Sequence, residues 1–236
     1  MTSLAPAVEV HRPAVAGREP VIAREVGHRV SSVLTQRSWF ADVAALESAT
    51  LTLGPDASAF YDLGWAQSST GQPRQALTNL EQALRLYRAV GDRGGEAATL
   101  NNIGRVYHGL DDRQQALTYF QQALPITREV DGRAGEATTL HNIGHAHDRL
   151  GERQQAPAYY QQALPILRQV GDRAGEAVTR YNIAMIHRAE GNLDEAIREL
   201  EHVVDLDYQV GHPDLASDNA VLDQVREECA RARETT

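Results

Sequence analysis

Apolar residues recur along this chain at three- and four-residue steps, the spacing of a helix with one buried face. Over residues 96–110 that stripe is Ala97, Leu100, Ile103, Gly104 and Tyr107. The pattern breaks at Asp111–Asp112, and a second stripe follows through Ala116, Tyr119, Phe120, Ala123, Leu124 and Ile126. Breaks stand at corresponding places in Gly71–Gln72, Gly151–Glu152 and Gly191–Asn192, so the pattern predicts helix pairs joined by short turns. Gly171–Asp172 reads as a helix-ending glycine followed by an N-capping aspartate, whereas Asp131–Gly132 reverses that order and predicts a poorer cap.

The pairs repeat. Gly91–Val130, Asp131–Val170 and Gly171–Val210 align without a gap at a period of 40 residues, and the first two copies are identical at 23 positions. An earlier copy, Ala57–Val90, carries Phe60, Leu63, Gly64, Ala76, Leu80 and Ala83 in the same register. Upstream, Val26–Leu51 with Trp39, Val43, Leu46 and Ala49 reads as a degenerate copy, and Asp214–Arg233 as a closing helix with a polar outer face. The expected organisation is therefore a flexible arm over 1–19, a degenerate repeat over 20–56, repeats over 57–90, 91–130, 131–170 and 171–210, and a capping helix and tail over 211–236.

Two features run against this pattern. Pro125 and Pro165 fall late in second helices, where an interior proline costs about 3 kcal/mol, so a bend or an early helix end is expected there. Pro157, nearer its helix start, should cost less. Arg180 replaces Leu100 and Leu140 in the apolar stripe, which predicts either a snorkelling side chain or a loosely packed repeat.

The helix pair resembles the tetratricopeptide repeat: Leu100, Ile103, Gly104, Tyr107, Ala116, Phe120 and Ala123 match its pattern in order. Leu140, Ile143, Gly144, Ala156, Tyr160 and Ala163 match it again, and Ile183, Ala184, Ala196 and Leu200 more loosely. The usual period is about 34 residues, so this chain is similar to the longer-period members: kinesin light chains, Leu-Gly-Asn-repeat adaptors and actinobacterial regulators. The resemblance implies an all-α, right-handed superhelical solenoid of antiparallel helix pairs, with a concave wall that binds another protein.

Composition narrows the function. A formal net charge of −9 argues against a nucleic-acid partner, which needs basic surface to displace counterions. No apolar run approaches the ~18 residues of a membrane span, and the opening residues do not read as a signal peptide, so a cytoplasmic protein without a membrane partner is expected. The one cysteine, Cys229, allows no intrachain disulfide and no Cys-x-x-Cys site. All 23 basic residues are arginine, which removes the lysine of a P-loop and of a pyridoxal Schiff base. No catalytic motif occurs, so the chain reads as a non-enzyme with no cofactor.

Candidate binding residues lie on the first helix of each copy, opposite the core stripe: Tyr61 and Trp65; Asn101, Asn102 and Arg105; His141, Asn142 and His145; Tyr181, Asn182, Met185 and Arg188. Asn102, Asn142 and Asn182 form a column whose amides each donate and accept, as holding an extended peptide backbone requires. The competing reading is that these amides bond neighbouring parts of the chain and order the stack. Trp65, Tyr61 and Tyr181 offer hot-spot surface, or Trp65 packs on the degenerate repeat. Arg105 and Arg188 suit carboxylates of a ligand. His141 and His145 share a helix face at a zinc-compatible spacing, but His147 takes the place of Tyr107 in the core stripe, leaving too few ligands for a metal. The function expected is a scaffold that captures a peptide or partner helix. The alternative is a regulatory or structural arm acting in trans through self-association, in which case homo-oligomers form.

Overall fold

The computed structural model describes residue 11 and residues 14–36, 39–130 and 132–234. It divides into two compact units, residues 1–126 and 127–236. The helices are α1 (Pro20–Gln36), α2 (Phe40–Leu51), α3 (Ala57–Ser69), α4 (Pro73–Val90), α5 (Arg93–Gly109), α6 (Arg113–Glu129), α7 (Arg133–Arg149), α8 (Ala156–Val170), α9 (Arg173–Ala189), α10 (Leu193–Val210) and α11 (Leu215–Glu234). No strand occurs among the described residues. Consecutive helices pack in pairs across connections too short to do anything but turn the chain back.

Local chemistry sets the ends. Asp56, Asp92 and Asp172 each accept a hydrogen bond from the amide three residues on, at 2.9, 2.9 and 2.8 Å, and so cap α3, α5 and α9. Gly91 and Gly171 end α4 and α8 in the left-handed conformation, both at φ 73°. Gly132 begins α7 with no side-chain cap, as the reversed order predicts; Asp131 lies outside the described residues. At the turn inside each pair Gly71, Gly151 and Gly191 have φ of 76°, 80° and 81°, and Asp111 takes the same conformation at 63°.

In the first unit the core joins Leu80 and Leu84 of α4, Leu100 and Ile103 of α5 and Ile126 of α6. A second cluster joins Val30 and Leu34 of α1 to Val43 and Leu46 of α2 and to Ala66 of α3. Trp39, expected in the apolar stripe of the degenerate copy, is instead half exposed at the start of α2. Of the expected arm, His11 and Ala14 are helical and buried, with His11 Nε2 2.9 Å from Thr50 Oγ1; residues 1–10, 12 and 13 lie outside the description. In the second unit Tyr160 packs with Ile183 and Ile186, and Leu200 with Ala184, Leu222 and Val225.

One contact recurs inside the pairs. A Cβ added at Gly64, Gly104 or Gly144 would stand 2.8, 2.5 or 2.8 Å from Leu80, Phe120 or Tyr160 respectively. Glycine lets those large side chains lie on the helix backbone. In the last copy Ala184 faces Leu200, both fully buried.

The prolines and Arg180 depart from expectation. α6 and α8 continue through Pro125 and Pro165 to Glu129 and Val170 without ending early. Pro157 sits in the first turn of α8, where amides have no helical acceptor, and α8 is 15 residues long against 17 for α6. Arg180 neither snorkels nor loosens its repeat. It is 5% exposed, donates to Glu176 at 2.9 Å, and is paired with Glu199 of α10.

Candidate functional site

In the first unit the candidate residues come from α3 and α5. Tyr61 is half-buried against the core, with Asn102 beside its hydroxyl. Burial pushes that phenol up, against the opposing influence of Asn102 and Arg105. Asn102 and Asn101 are buried, and Asn101 donates to the Ala97 carbonyl at 3.3 Å, a bond within its own helix. Arg105 is exposed. Trp65 meets Phe40 edge-on at 5.4 Å, so its indole packs on the degenerate repeat. Here the packing reading accounts for Trp65.

The second unit differs. The rings of His141 and His145 lie 6.4 Å apart on α7, and His141 Nδ1 is 2.9 Å from Thr179 Oγ1 of α9. Burial, with His145 beside it, pushes His141 down to about 4, so it is neutral at physiological pH. Asn142 is half-buried, and its side-chain nitrogen is sheltered with no hydrogen-bond partner. Asn182 lies beside the hydroxyl of Tyr160 without a bond of normal length. Tyr181 and Met185 pack their inner edges on the cluster of α9, α10 and α11. Arg188 meets a carboxylate in fork geometry, but of its own chain: Glu228 of α11, at 2.5 and 3.0 Å. His147 is buried, stacks on Tyr159 at 5.3 Å as Tyr107 stacks on Tyr119 at 5.4 Å, and binds Glu152 at 2.6 Å. It is a core side chain. Among the described residues no three His, Cys, Asp or Glu side chains converge as a metal site.

Two arrangements escaped the reading of the sequence. The first is a clamp between consecutive repeats: Arg88–Glu96, Arg128–Glu136 and Arg168–Glu176, each at 2.8 Å. The glutamates are 6–8% exposed and stand in the first turn of the following helix. Burial raises Glu96, but hydrogen bonds from Arg88 and Arg93 outweigh that and hold it below the usual carboxylate range. Its signal was present as an Arg-x7-Glu spacing recurring every 40 residues. The second is a cavity of about 340 Å³ where α9, α10 and the start of α11 meet, with Asp207 and Asp218 in its wall. Its signal was a carboxylate at position 207, where the other copies carry Tyr87, Thr127 and Leu167.

Comparison with known proteins places the repeats. A family model described as tetratricopeptide repeat matches residues 95–169 and 136–209, and a second of the same description matches 57–89. Among solved structures, BtubC (BKLC) from P. vanneervenii superposes with a TM-score of 0.73 at 17% identity, covering 89% of this chain and 93% of that one. The apo quorum sensor NprR from B. thuringiensis superposes at 0.76 and 17% identity, covering 96% and 66%. A Rap protein complexed with Competence and Sporulation Factor superposes at 0.62 and 16%, covering 88% and 64%. This chain thus spans just under two thirds of the length of the last two, and at these identities the likeness establishes the fold. A search of curated proteins returned no match. No described helix is long and apolar enough to cross a membrane.

Proposed function

Because this chain belongs to the tetratricopeptide repeat family, we propose that it is a non-catalytic interaction scaffold whose first helices capture a peptide or partner helix. The observation that carries this reading is the Asn142 amide. Its nitrogen is sheltered and unbonded while the residue itself stays half-open beside His141 and His145. A buried donor without an acceptor costs about 1–3 kcal/mol, and a peptide carbonyl would supply that acceptor. In the second unit Asn182, Tyr181 and Met185 extend the same face along α9. In the first unit Asn102, Tyr61 and exposed Arg105 form a corresponding stretch, already drawn together by the Tyr61–Asn102 contact. The Rap protein complexed with Competence and Sporulation Factor supports the reading by analogy of fold.

The contribution of Arg188 is to hold α11 through Glu228 rather than to meet the ligand. The test begins with a partner recovered from the native host by pull-down. Asn142→Ala and Asn182→Ala should each leave the helical signal and the urea midpoint near the parent's and weaken binding by about 1–3 kcal/mol. Asn102→Ala should weaken it less, since Asn102 is buried and less open to a ligand than Asn142. A triple Asn→Ala variant that binds as tightly as the parent refutes the proposal.

A further inference from the structure

The cavity at the end of the second unit has a chemistry that packing does not account for. At position 207 in the earlier copies stand Tyr87, Thr127 and Leu167, and these side chains lie on the first-turn glycine of the next helix. A Cβ on Gly95, Gly135 or Gly175 would be 2.4 Å from Tyr87, 3.5 Å from Thr127 or 2.9 Å from Leu167. In the last copy the position holds Asp207. It is 2% exposed, and its Oδ2 has no hydrogen-bond partner. A buried ionised carboxylate is stable only when paired. Instead of a cation, its near neighbour is a second carboxylate, Asp218 of α11. Burial, then a side-chain hydrogen bond with Asp207 and its charge, push Asp218 up to about 6, with His212 opposing; Oδ2 of Asp207 is still left without a partner. His212 is the one positively chargeable side chain in the wall, and it lies 3.8 Å from Asp214.

The rest of the lining is mixed: Asp214 and Ser217 are polar, Ala177 and Val203 form a buried apolar strip, and Ala174 and Val178 continue that strip at the exposed edge. Alkyl surface leading to a pair of carboxylates suits a long side chain that ends in a cation, its stem on the apolar wall and its head on the charges. A metal ion is a poor fit, because among the described residues no three ligating side chains converge. A guanidinium is a good one, since its planar fork donates to two acceptors at once.

We propose that this cavity is a receptor for a cationic side chain, and that its occupant is an arginine presented by a peptide partner. Tyr181 lines both this cavity and the face assigned to peptide capture, so only the peptide origin of the arginine rests on the function proposed above. The partner is then a peptide with an arginine that reaches past Tyr181 to the end of α10.

The experiment titrates the full chain with N-acetyl-arginine amide and follows backbone amide resonances by NMR, with N-acetyl-citrulline amide as the uncharged isostere. The arginine probe should shift resonances in 174–181 and 203–218, and the citrulline probe should bind at least about tenfold more weakly, as loss of a charge-assisted fork requires. Asp218→Asn, at a half-buried position, should leave the spectrum folded and weaken the arginine probe about tenfold. Asp207→Asn is the second variant, checked by its melting curve, and should do the same. Equal binding of the two probes, shifts centred elsewhere, or undiminished affinity in both variants would overturn the proposal. Failure of the arginine probe leaves the asparagine face standing. Loss of that face, with arginine binding intact, removes only the peptide origin of the cation.

Discussion

Glycine at position 104 is a packing requirement, and its replacement by alanine sets two opposing effects against each other. Alanine favours the helix by about 1 kcal/mol over glycine. The added Cβ, however, would stand 2.5, 2.7 and 3.0 Å from Cε1, Cδ1 and Cζ of Phe120. The ring would have to retreat by about 1 Å to reach ordinary contact. Phe120 is 2% exposed and enclosed by α5 and α6, so retreat means distorting its neighbours. Overpacking of this kind costs about 1–3 kcal/mol, and a 2.5 Å clash with an enclosed ring belongs at the upper end. The net expectation for Gly104→Ala is a loss of about 2 kcal/mol, read as a lower urea midpoint with an unchanged slope. The last repeat supplies the control, for there Ala184 and Leu200 occupy the same two positions and are both fully buried. Phe120→Leu alone should cost about 1 kcal/mol. Gly104→Ala with Phe120→Leu should be no less stable than Phe120→Leu alone, giving a coupling of about 2 kcal/mol between the sites. A Gly104→Ala variant as stable as the parent, or strictly additive changes, would refute the reasoning.

Two further predictions concern buried charge. Arg180→Leu restores the side chain found at positions 100 and 140 but strands Glu199, and should cost about 2–3 kcal/mol. That is below the value for a fully buried pair, because Glu176 keeps Arg168 and Glu199 keeps some solvent. Adding Glu199→Tyr, the residue at 119 and 159, should recover most of the loss in urea titrations; no recovery would show that the pair is not the reason for the arginine. Glu47 is 2% exposed, with Ser31 donating to it, and burial pushes it from 4.5 up to about 7, with Asp62 and Asp56 adding and His28 opposing. A carboxyl whose folded value is raised favours folding while protonated, so its contribution is full below pH 4.5 and is lost as pH rises to about 7. The contribution of Glu47 should fall by up to ~3 kcal/mol across that window. Glu47→Gln should remove that contribution, leaving the falling slopes of Asp62 and Asp218, both raised to about 6, and the opposing rise from His141, lowered to about 4. Parallel profiles for parent and variant would count against this account.

How much of this was legible before any coordinates depended on the type of information. The helices, their turns and the capping at Gly171–Asp172 follow from local spacing, and the structure has them where the apolar period puts them. Phe120, Leu100 and Ile103 were legible as core for the same reason. Arg180 was legible as an anomaly but not as a solution, because its partner Glu199 lies 19 residues away on another helix. Periodicity says which positions face inward and is silent on what they meet there. The same limit applies to Asn102, whose place on the face was readable while its contact with Tyr61 of the previous copy was not.

The repeated clamp shows why a column of conserved spacing within one chain need not be a binding surface. Arg88, Arg128 and Arg168 recur with the same period as the asparagines, and so do Glu96, Glu136 and Glu176. Yet both partners belong to the chain, and what they join is the end of one repeat and the start of the next. The glutamates gain twice there: from the arginine, and from the positive end of the helix in whose first turn they stand. The segment Gly-Asp-Arg-Ala-Gly-Glu is therefore no extended linker: only Gly171 and Asp172 lie between helices, and Arg173–Glu176 already form the first turn of α9. Periodicity alone therefore does not separate a ligand face from a joint. Where the polar atoms already satisfy one another, as Glu96 and Glu176 are satisfied by Arg88 and Arg168, the column is a joint; the side-chain nitrogen of Asn142 and Oδ2 of Asp207 have no such partner, and it is on these atoms that the two binding proposals rest.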